Sequence, residues 1–314
     1  RLLLKLEWSM FGLQFAPYAY VSVFMHAMVV WLVYFVSREI SQRKDLAIAA
    51  ACIFSINTNW TETVLWISGQ TILITAIFVL LAILGIWKNK SVYLCLMLAS
   101  WTSALSLGLL GSSFFFDKKR RLGIVGIFIM LGLIYRLGGG DGTHVQMSIL
   151  NMVRVVVVWV LMIVNTAVGR TLLPFDKFEM MRIIVVMILC LWAGRRYRTK
   201  LMGVWRDRWS MFILLNLTLY YGVVAGGRSQ FGIGIMRAER YAYLGLILIL
   251  LLIVRVLRNV KIRYLSLIVT GIVLVQTLGF WHRANSYIVR PTQMKKLFIF
   301  IDSLNRNKCY KDEY

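Results

Sequence analysis

The chain has 314 residues, 60% of them hydrophobic and 16% charged, with three prolines and a mean hydropathy of +0.73. Those values lie outside the range of soluble globular domains and describe a membrane protein that crosses the bilayer several times. A formal net charge of +23 raises nucleic acid as a partner, but the Lys and Arg residues come in short clusters between apolar runs, so no nucleic acid is expected. Cys52, Cys95, Cys190 and Cys309 have no paired spacing, and the first three lie in apolar segments where a thiol packs as a small hydrophobe, which argues against a disulfide framework or a zinc site.

In chain order, the opening RLLLKLEWSM lacks an initiator Met and the n-region and cleavage site of a signal peptide, and reads as a fragment of a longer chain. A spanning helix needs about 20 apolar residues. The first candidate, 17–37, ends at the basic stretch REISQRK, and a short one at 46–57 runs into TNWTETVLWISGQ. Residues 70–87 return to KNK, and 91–116 carry Ser100, Thr102 and Ser103 in their middle before DKKRR. Residues 122–135 lead into GGGDGTHVQ, 153–168 and 183–193 flank GRTLLPFDKFEMMR, and 210–226, 241–257 and 264–281 follow GRRYRTKLMGVWRDR.

Lys and Arg near span ends are retained in the cytoplasm. The loops 38–44, 88–90, 117–121, 195–208 and 255–263 hold 19 of the 36 basic residues and are placed there together. Because 91–116 has basic residues at both ends, it is expected to enter and return as two short helices or a re-entrant pair. Between 121 and 195 an even number of crossings is needed where three apolar segments lie, and 153–168 is taken as the one that does not cross. Nine of the 13 carboxylates, among them Glu7, Glu62, Asp141, Asp176, Glu179 and Glu239, then fall on the outer side. Arg136, Arg154, Arg228, Arg237 and Arg240 lie there too, and acids with arginines at membrane depth mark a functional face.

Each candidate group has two readings. Glu62 lies four residues before Trp66, so a helix would set a carboxylate and a stacking ring on one face, for sugar or for an acceptor hydroxyl; an interfacial Trp with a Glu after Thr61 in a first turn fits equally short spacing. Glu239 and Arg240 stand at the step from loop to apolar helix, where arginine can fork onto a phosphate near a helix N-terminus starting at about Tyr241, or can simply pair with Glu239. In GGGDGTHVQ, Asp141 and His144 are acid/base or metal candidates, but one His and one Asp are too few ligands for a metal centre, and a glycine-rich outer loop explains the stretch. His26 lies inside a membrane segment, as a functional group or as a neutral imidazole bonded to a neighbouring helix.

Phe11 to Leu13, Pro17, Tyr18 and His26, then ETVLWISGQ and later ERYAYL, resemble the GT-C membrane glycosyltransferases, and within them the dolichyl-phosphate-mannose protein mannosyltransferase-like group associated with tetratricopeptide repeats. Against that group's E-x-V-x-W-x-S-G-R, Glu62, Val64, Trp66, Ser68 and Gly69 match while Gln70 replaces Arg; Glu239, Arg240, Tyr241 and Tyr243 match an E-R-Y-x-Y element, and Pro174 fits a family proline. The resemblance spans roughly residues 1–285, and its motifs are short. Three departures stand out. The family's acidic pair would precede Arg1, the Ser-Lys-Glu-like element near residue 104 is the uncharged SWTSALSLG, and no repeat follows Trp281.

The resemblance implies an all-α, GT-C-like bundle of about 9–11 membrane segments over residues 1–281, with a short outer tail at 282–314. It implies transfer of a sugar from a polyprenyl-phosphate donor to a hydroxyl on a protein or envelope glycan, outside a bacterial or archaeal cytoplasmic membrane rather than in the endoplasmic reticulum. Glu62 and Asp141 are then the catalytic carboxylates, Trp66, His26, Glu239 and Tyr241 bind substrate, and Arg240, Arg237 and Arg228 bind the lipid phosphate. No cofactor is expected; a divalent metal is compatible but not indicated. The alternatives are a transporter or flippase-like protein for lipid-linked intermediates and a catalytically degenerate membrane scaffold.

Overall fold

A computed structural model describes residues 2–12, 15–57, 63–64, 69–103, 106–116, 121, 123–127, 129–130, 162, 166, 195, 206–228, 239–259, 265–267 and 269–277. Among them the architecture is all-helical, with no strand. The principal helices are α1 (Leu2–Phe11), α2 (Phe15–Ser41), α3 (Lys44–Ile56), α4 (Gln70–Trp87), α5 (Tyr93–Thr102), α6 (Leu107–Phe116), α7 (Arg208–Arg228) and α8 (Glu239–Leu257). A further apolar helix runs over Leu265–Thr277. Two helices, Ala16–Ser41 within α2 and Gln70–Trp87, are long and apolar enough to cross a membrane. Of segment 153–168 only Met162 and Thr166 are described, and 183–193 and the tail from 282 lie outside the described residues.

The helix ends follow from local chemistry. Gln42 takes a left-handed conformation (φ 57°) after α2 and donates its N–H to the Arg38 carbonyl, while the Ser41 hydroxyl receives the Arg43 N–H, so the chain turns back into α3 within three residues. Asp45 sits in the first turn of α3, where a helix N-terminus favours negative charge. Asn89 (φ 55°) closes α4, with the Lys90 N–H on the Gly85 carbonyl.

The sequence-based division of 91–116 into two short helices is observed, with the break at Ser103, whose backbone is extended. Hydroxyls in SWTSALSLG add to the backbone bonds there: the Ala99 carbonyl accepts the Thr102 hydroxyl beside the Ser103 N–H, and the Ser103 carbonyl accepts the Ser106 hydroxyl beside its N–H. The Thr75 and Thr102 hydroxyls meet at 2.9 Å and tie the break to α4. The two short helices pack mainly on different neighbours, α5 on α4 and α6 on α7. Glycine permits the second contact, since a Cβ on Gly108 would lie 2.7 Å from the Tyr220 backbone nitrogen.

Helix α8 is the hub. Tyr241 through Leu251 are all buried, as an apolar sequence with no polar face demands, and α8 packs on α2, α3 and α7. Helix α2 instead has two faces. Ser22, His26, Val29, Val33 and Ser37 point inward at three- and four-residue steps, whereas Tyr20 (74% exposed), Phe24 (67%), Met28 and Trp31 (63%) form an apolar stripe on the outside. Leu6, Trp8 and Met10 of α1 are likewise exposed.

Four of the five basic loops meet at one end of the bundle. Lys88 pairs with Glu39 at 2.8 Å, and Arg43 pairs with Asp45 while reaching the Leu257 and Arg258 carbonyls. At the centre, Arg255, only 8% exposed, binds both oxygens of Asp207 (2.9 and 2.6 Å), donates to the Ile40 carbonyl (2.9 Å) and lies 5.3 Å from the Trp87 ring centroid. Asp207 also caps α7 by accepting the Ser210 N–H and hydroxyl. The Arg255 guanidinium holds the Asp207 carboxyl well below the usual carboxylate range, against the opposing effect of burial. This depression makes the charged pair a stabilising element above the ordinary Asp pKa of about 3.9, and the contribution disappears only as pH falls through the lower folded-state value. Arg255→Gln should lower unfolding stability by about 2–4 kcal/mol, below the upper limit for buried pairs because Asp207 is partly exposed. Thermal unfolding of the purified protein in detergent checks this, and the loss should exceed that of Asp207→Asn, which keeps a capping oxygen.

Candidate functional site

The basic clamp fixes the bundle's polarity. Helices α2, α4 and α8 end there through Ile40, Trp87 and Arg255, so Phe15, Gln70 and Glu239 begin at the opposite end. Three of the sequence elements that carry the resemblance therefore share that end: the start of α2, the Gly69–Gln70 close of ETVLWISGQ, and the Glu239–Tyr243 start of α8.

His26 is buried in the core, not open to the bundle's exterior. The Tyr243 hydroxyl lies 2.8 Å from its Nδ1, and the Ser55 carbonyl is 3.5 Å from Nε2. The tautomer that suits both has Nδ1 accepting from Tyr243 and Nε2 carrying the hydrogen. Phe54 packs on both rings, at 5.5 Å from His26 and 5.2 Å from Tyr243. One imidazole thus joins α2, α3 and α8, the arrangement of a neutral histidine bonded to neighbouring helices. Tyr241 is buried as well, and its carbonyl accepts the Tyr220 hydroxyl at 2.7 Å, linking α7 to the start of α8. Tyr221 donates to Thr166 at 2.5 Å and fills the space beside Gly245, where a Cβ would meet its hydroxyl.

Glu239 and Arg240 are the first two residues of α8 and Arg228 is the last of α7, so the backbone places two of the three proposed phosphate-binding arginines at helix termini. Glu62, Trp66, Asp141 and Arg237 lie outside the described residues, as does His144. Thr63 and Val64, inside ETVLWISGQ, are helical and buried, and Thr63 lies against Gly69, where a Cβ would meet the Thr63 carbonyl oxygen. The glycine that matches the resembled motif is therefore required by the loop's own packing.

A carboxylate that spacing did not single out as a site residue stands at this end. Glu7 of α1 is 2% exposed, and its Oε1 accepts a hydrogen bond from Gln70 Nε2 at 3.1 Å. The same amide nitrogen faces the Tyr18 carbonyl at 3.4 Å. Burial pushes the Glu7 carboxyl above its ordinary value, and the Gln70 hydrogen bond only partly offsets this. Gln70, which departs from the resembled element's Arg, is thus the residue that meets a buried acid. The sequence signal for Glu7 was a lone acid in LLLKLEWSMF, which separates from an ordinary outer-side charge only when α1 is seen packed on α2. Among the described residues no group of three or more His, Cys, Asp or Glu side chains is arranged to hold a metal ion. No protein-family model, curated protein or solved structure matches the chain.

Tyr243→Phe removes the partner of a buried imidazole nitrogen and should cost about 1–3 kcal/mol. Adding His26→Leu should cost less than the sum of the single changes, because the orphaned nitrogen is gone. Thermal unfolding of the four proteins in one detergent provides the cycle.

Proposed function

We propose that the chain is a multi-pass integral membrane glycosyltransferase of GT-C type, acting on the extracytoplasmic face of a bacterial or archaeal cytoplasmic membrane. Membrane insertion is supported by the inverted distribution of side chains. Ser22, His26, Gln70, Thr75, Ser100 and Asn216 are buried, while Tyr20, Phe24, Trp31 and Trp101 face outward. Hydrocarbon rewards that pattern and water penalises it. The clustering of basic ends supports orienting the clamp toward the cytoplasm.

The observation that carries the transferase reading is the shared end of the resembled elements, opposite the clamp. Glu239 and Arg240 begin α8 one turn before Tyr243, which bonds His26, and Gln70 closes the loop that bears Glu62 and Trp66. In the proposed reaction the acceptor hydroxyl attacks the anomeric carbon while Glu62 or Asp141 takes its proton. The bond from that carbon to the phosphate oxygen breaks, and the polyprenyl phosphate leaves as an anion. Arg240, with Arg237 and Arg228, stabilises that anion, aided by the partial positive charge of the α8 N-terminus. Trp66 offers a stacking face to the sugar. Protein hydroxyls and envelope glycans are the acceptor classes, and no step requires a cofactor.

The test is transfer of label from radiolabelled polyprenyl-phosphate sugars to acceptor in proteoliposomes. Glu62→Gln should reduce turnover by about 100-fold or more with donor binding retained. Arg240→Ala should weaken donor binding by about tenfold or more and leave acceptor binding unchanged. Translocation of intact donor without transfer would instead assign a transporter, and labelling of engineered cysteines at 58–69 from the cytoplasmic side would remove the outer site altogether.

A further inference from the structure

The contact between Glu7 and Gln70 leaves an unusual residue of unmet hydrogen-bonding capacity. Both side chains are buried, at 2% and 1% exposure, and they already share one hydrogen bond. Yet Glu7 Oε2 and Gln70 Oε1 each lack a donor. The orientation of the amide is fixed by its surroundings. Turning Gln70 over would set its oxygen against Glu7 Oε1 and the Tyr18 carbonyl, acceptor against acceptor. The two orphans are therefore a carboxylate oxygen and an amide oxygen on partners already joined through their other atoms. A carboxylic acid and a primary amide are complementary at two points, N–H to one acid oxygen and acid O–H to the amide oxygen. One added hydrogen supplies what both orphans lack, whereas an ionised Glu7 leaves both buried and unmet, at a cost.

We infer that Glu7 and Gln70 form a proton-binding pair, in which a hydrogen taken from water onto Glu7 Oε2 closes the acid on the Gln70 carbonyl and docks α1 against the start of α4. Among the described side chains no competing charge faces the pair, and burial and Gln70 account for the behaviour of the carboxyl. On α2, the nearest titratable side chain is Tyr18, whose hydroxyl is engaged with the Gly12 carbonyl. Helix α4 presents only Gln70 here, and on α1 no other described side chain is ionisable. Glu7 stands near the end of the bundle on the short helix α1, so exchange with water needs only a local opening of α1. The upward displacement of the carboxyl fixes the sign of the linkage: docking is complete at low pH and weakens as pH rises through the folded-state value. A hard cation held by the two unmet oxygens is the competing occupant. A proton needs only groups already in contact, and this inference stands independently of the transferase reading.

The experiment compares the wild type, Glu7→Gln and Gln70→Arg as purified full-length chains in detergent. Infrared difference spectra at neutral pH should contain a protonated-carboxyl C=O band in the wild type that is absent from Glu7→Gln. The band should also vanish in Gln70→Arg, because a guanidinium converts the acid to a paired carboxylate. Thermal unfolding between about pH 5 and about pH 9 should show the wild type losing Tm with rising pH, while Glu7→Gln, a permanently neutral mimic, stays near the wild type's low-pH value. An ionised Glu7 at neutral pH, or parallel pH profiles for wild type and Glu7→Gln, would overturn the inference. So would a wild-type Tm raised by sodium, potassium or calcium chloride and unresponsive in Glu7→Gln, which would assign the site to that cation.

Discussion

The bundle's architecture depends on one guanidinium. Arg255 brings the ends of four helices within its reach: the Asp207 carboxylate that caps α7, the Ile40 carbonyl in the last turn of α2, the Trp87 ring at the end of α4, and α8 to which it belongs. An arginine can do this because its donors diverge in a plane and its face accepts an aromatic ring, whereas a lysine offers a single point charge. Each contact also resolves a deficit left by a helix terminus. The α7 N-terminus has unpaired N–H groups, which Asp207 caps, and the α2 C-terminus has unpaired carbonyls, one of which Arg255 takes. Trp209 packs against Trp87, its ring tilted by 51° at a centroid distance of 4.5 Å, and closes the clamp laterally.

Between the two ends, the interior is organised by hydrogen bonds as much as by apolar packing. His26 with Tyr243, Tyr220 with the Tyr241 carbonyl, Tyr221 with Thr166 and Thr75 with Thr102 each cross between segments. Together with close contact, such bonds help to specify which helices meet. Gly108 and Gly245 serve the same end, since at both positions a side chain would collide with a tyrosine of α7. The polar residues of SWTSALSLG acquire a structural purpose here, as hydroxyls bonded to carbonyls where one helix stops and the next begins.

Periodicity and charge made much of this legible. Residues 70–87 coincide with α4, and the short segment 46–57 is α3 shifted by two residues at its start and one at its end. The division of 91–116 followed from basic residues at both ends, an argument about sidedness that needed no knowledge of packing. Helix α1 was not legible, because ten residues with Lys5, Glu7 and Ser9 among the apolar ones satisfy no length criterion, and the helix is amphipathic only in relation to α2. Pairings such as His26 with Tyr243, 217 residues apart, are invisible to any local pattern. His26 could be read as a buried, bonded imidazole or as a ligand group, and its bond to Tyr243 becomes visible only once α8 is placed. The most specific motif residues, Glu62 and Trp66, lie outside the described residues, and within their stretch only Thr63, Val64 and Gly69 report how the chain is packed.

The two ends of the bundle meet the same physical problem differently. A carboxylate withdrawn from water loses its hydration and must gain a cation, several donors, or a proton. At the basic end Asp207 gains the first two, with Arg255 and Ser210 supplying donors to both oxygens, and it stays ionised. At the opposite end Glu7 accepts one amide N–H and, among the described residues, meets no cation, so a proton is the remaining means of neutralising it. The identity of residue 70 decides which solution applies. An arginine would make that end a second ion pair, indifferent to pH across the neutral range, whereas glutamine leaves the attachment of α1 to the proton concentration around it.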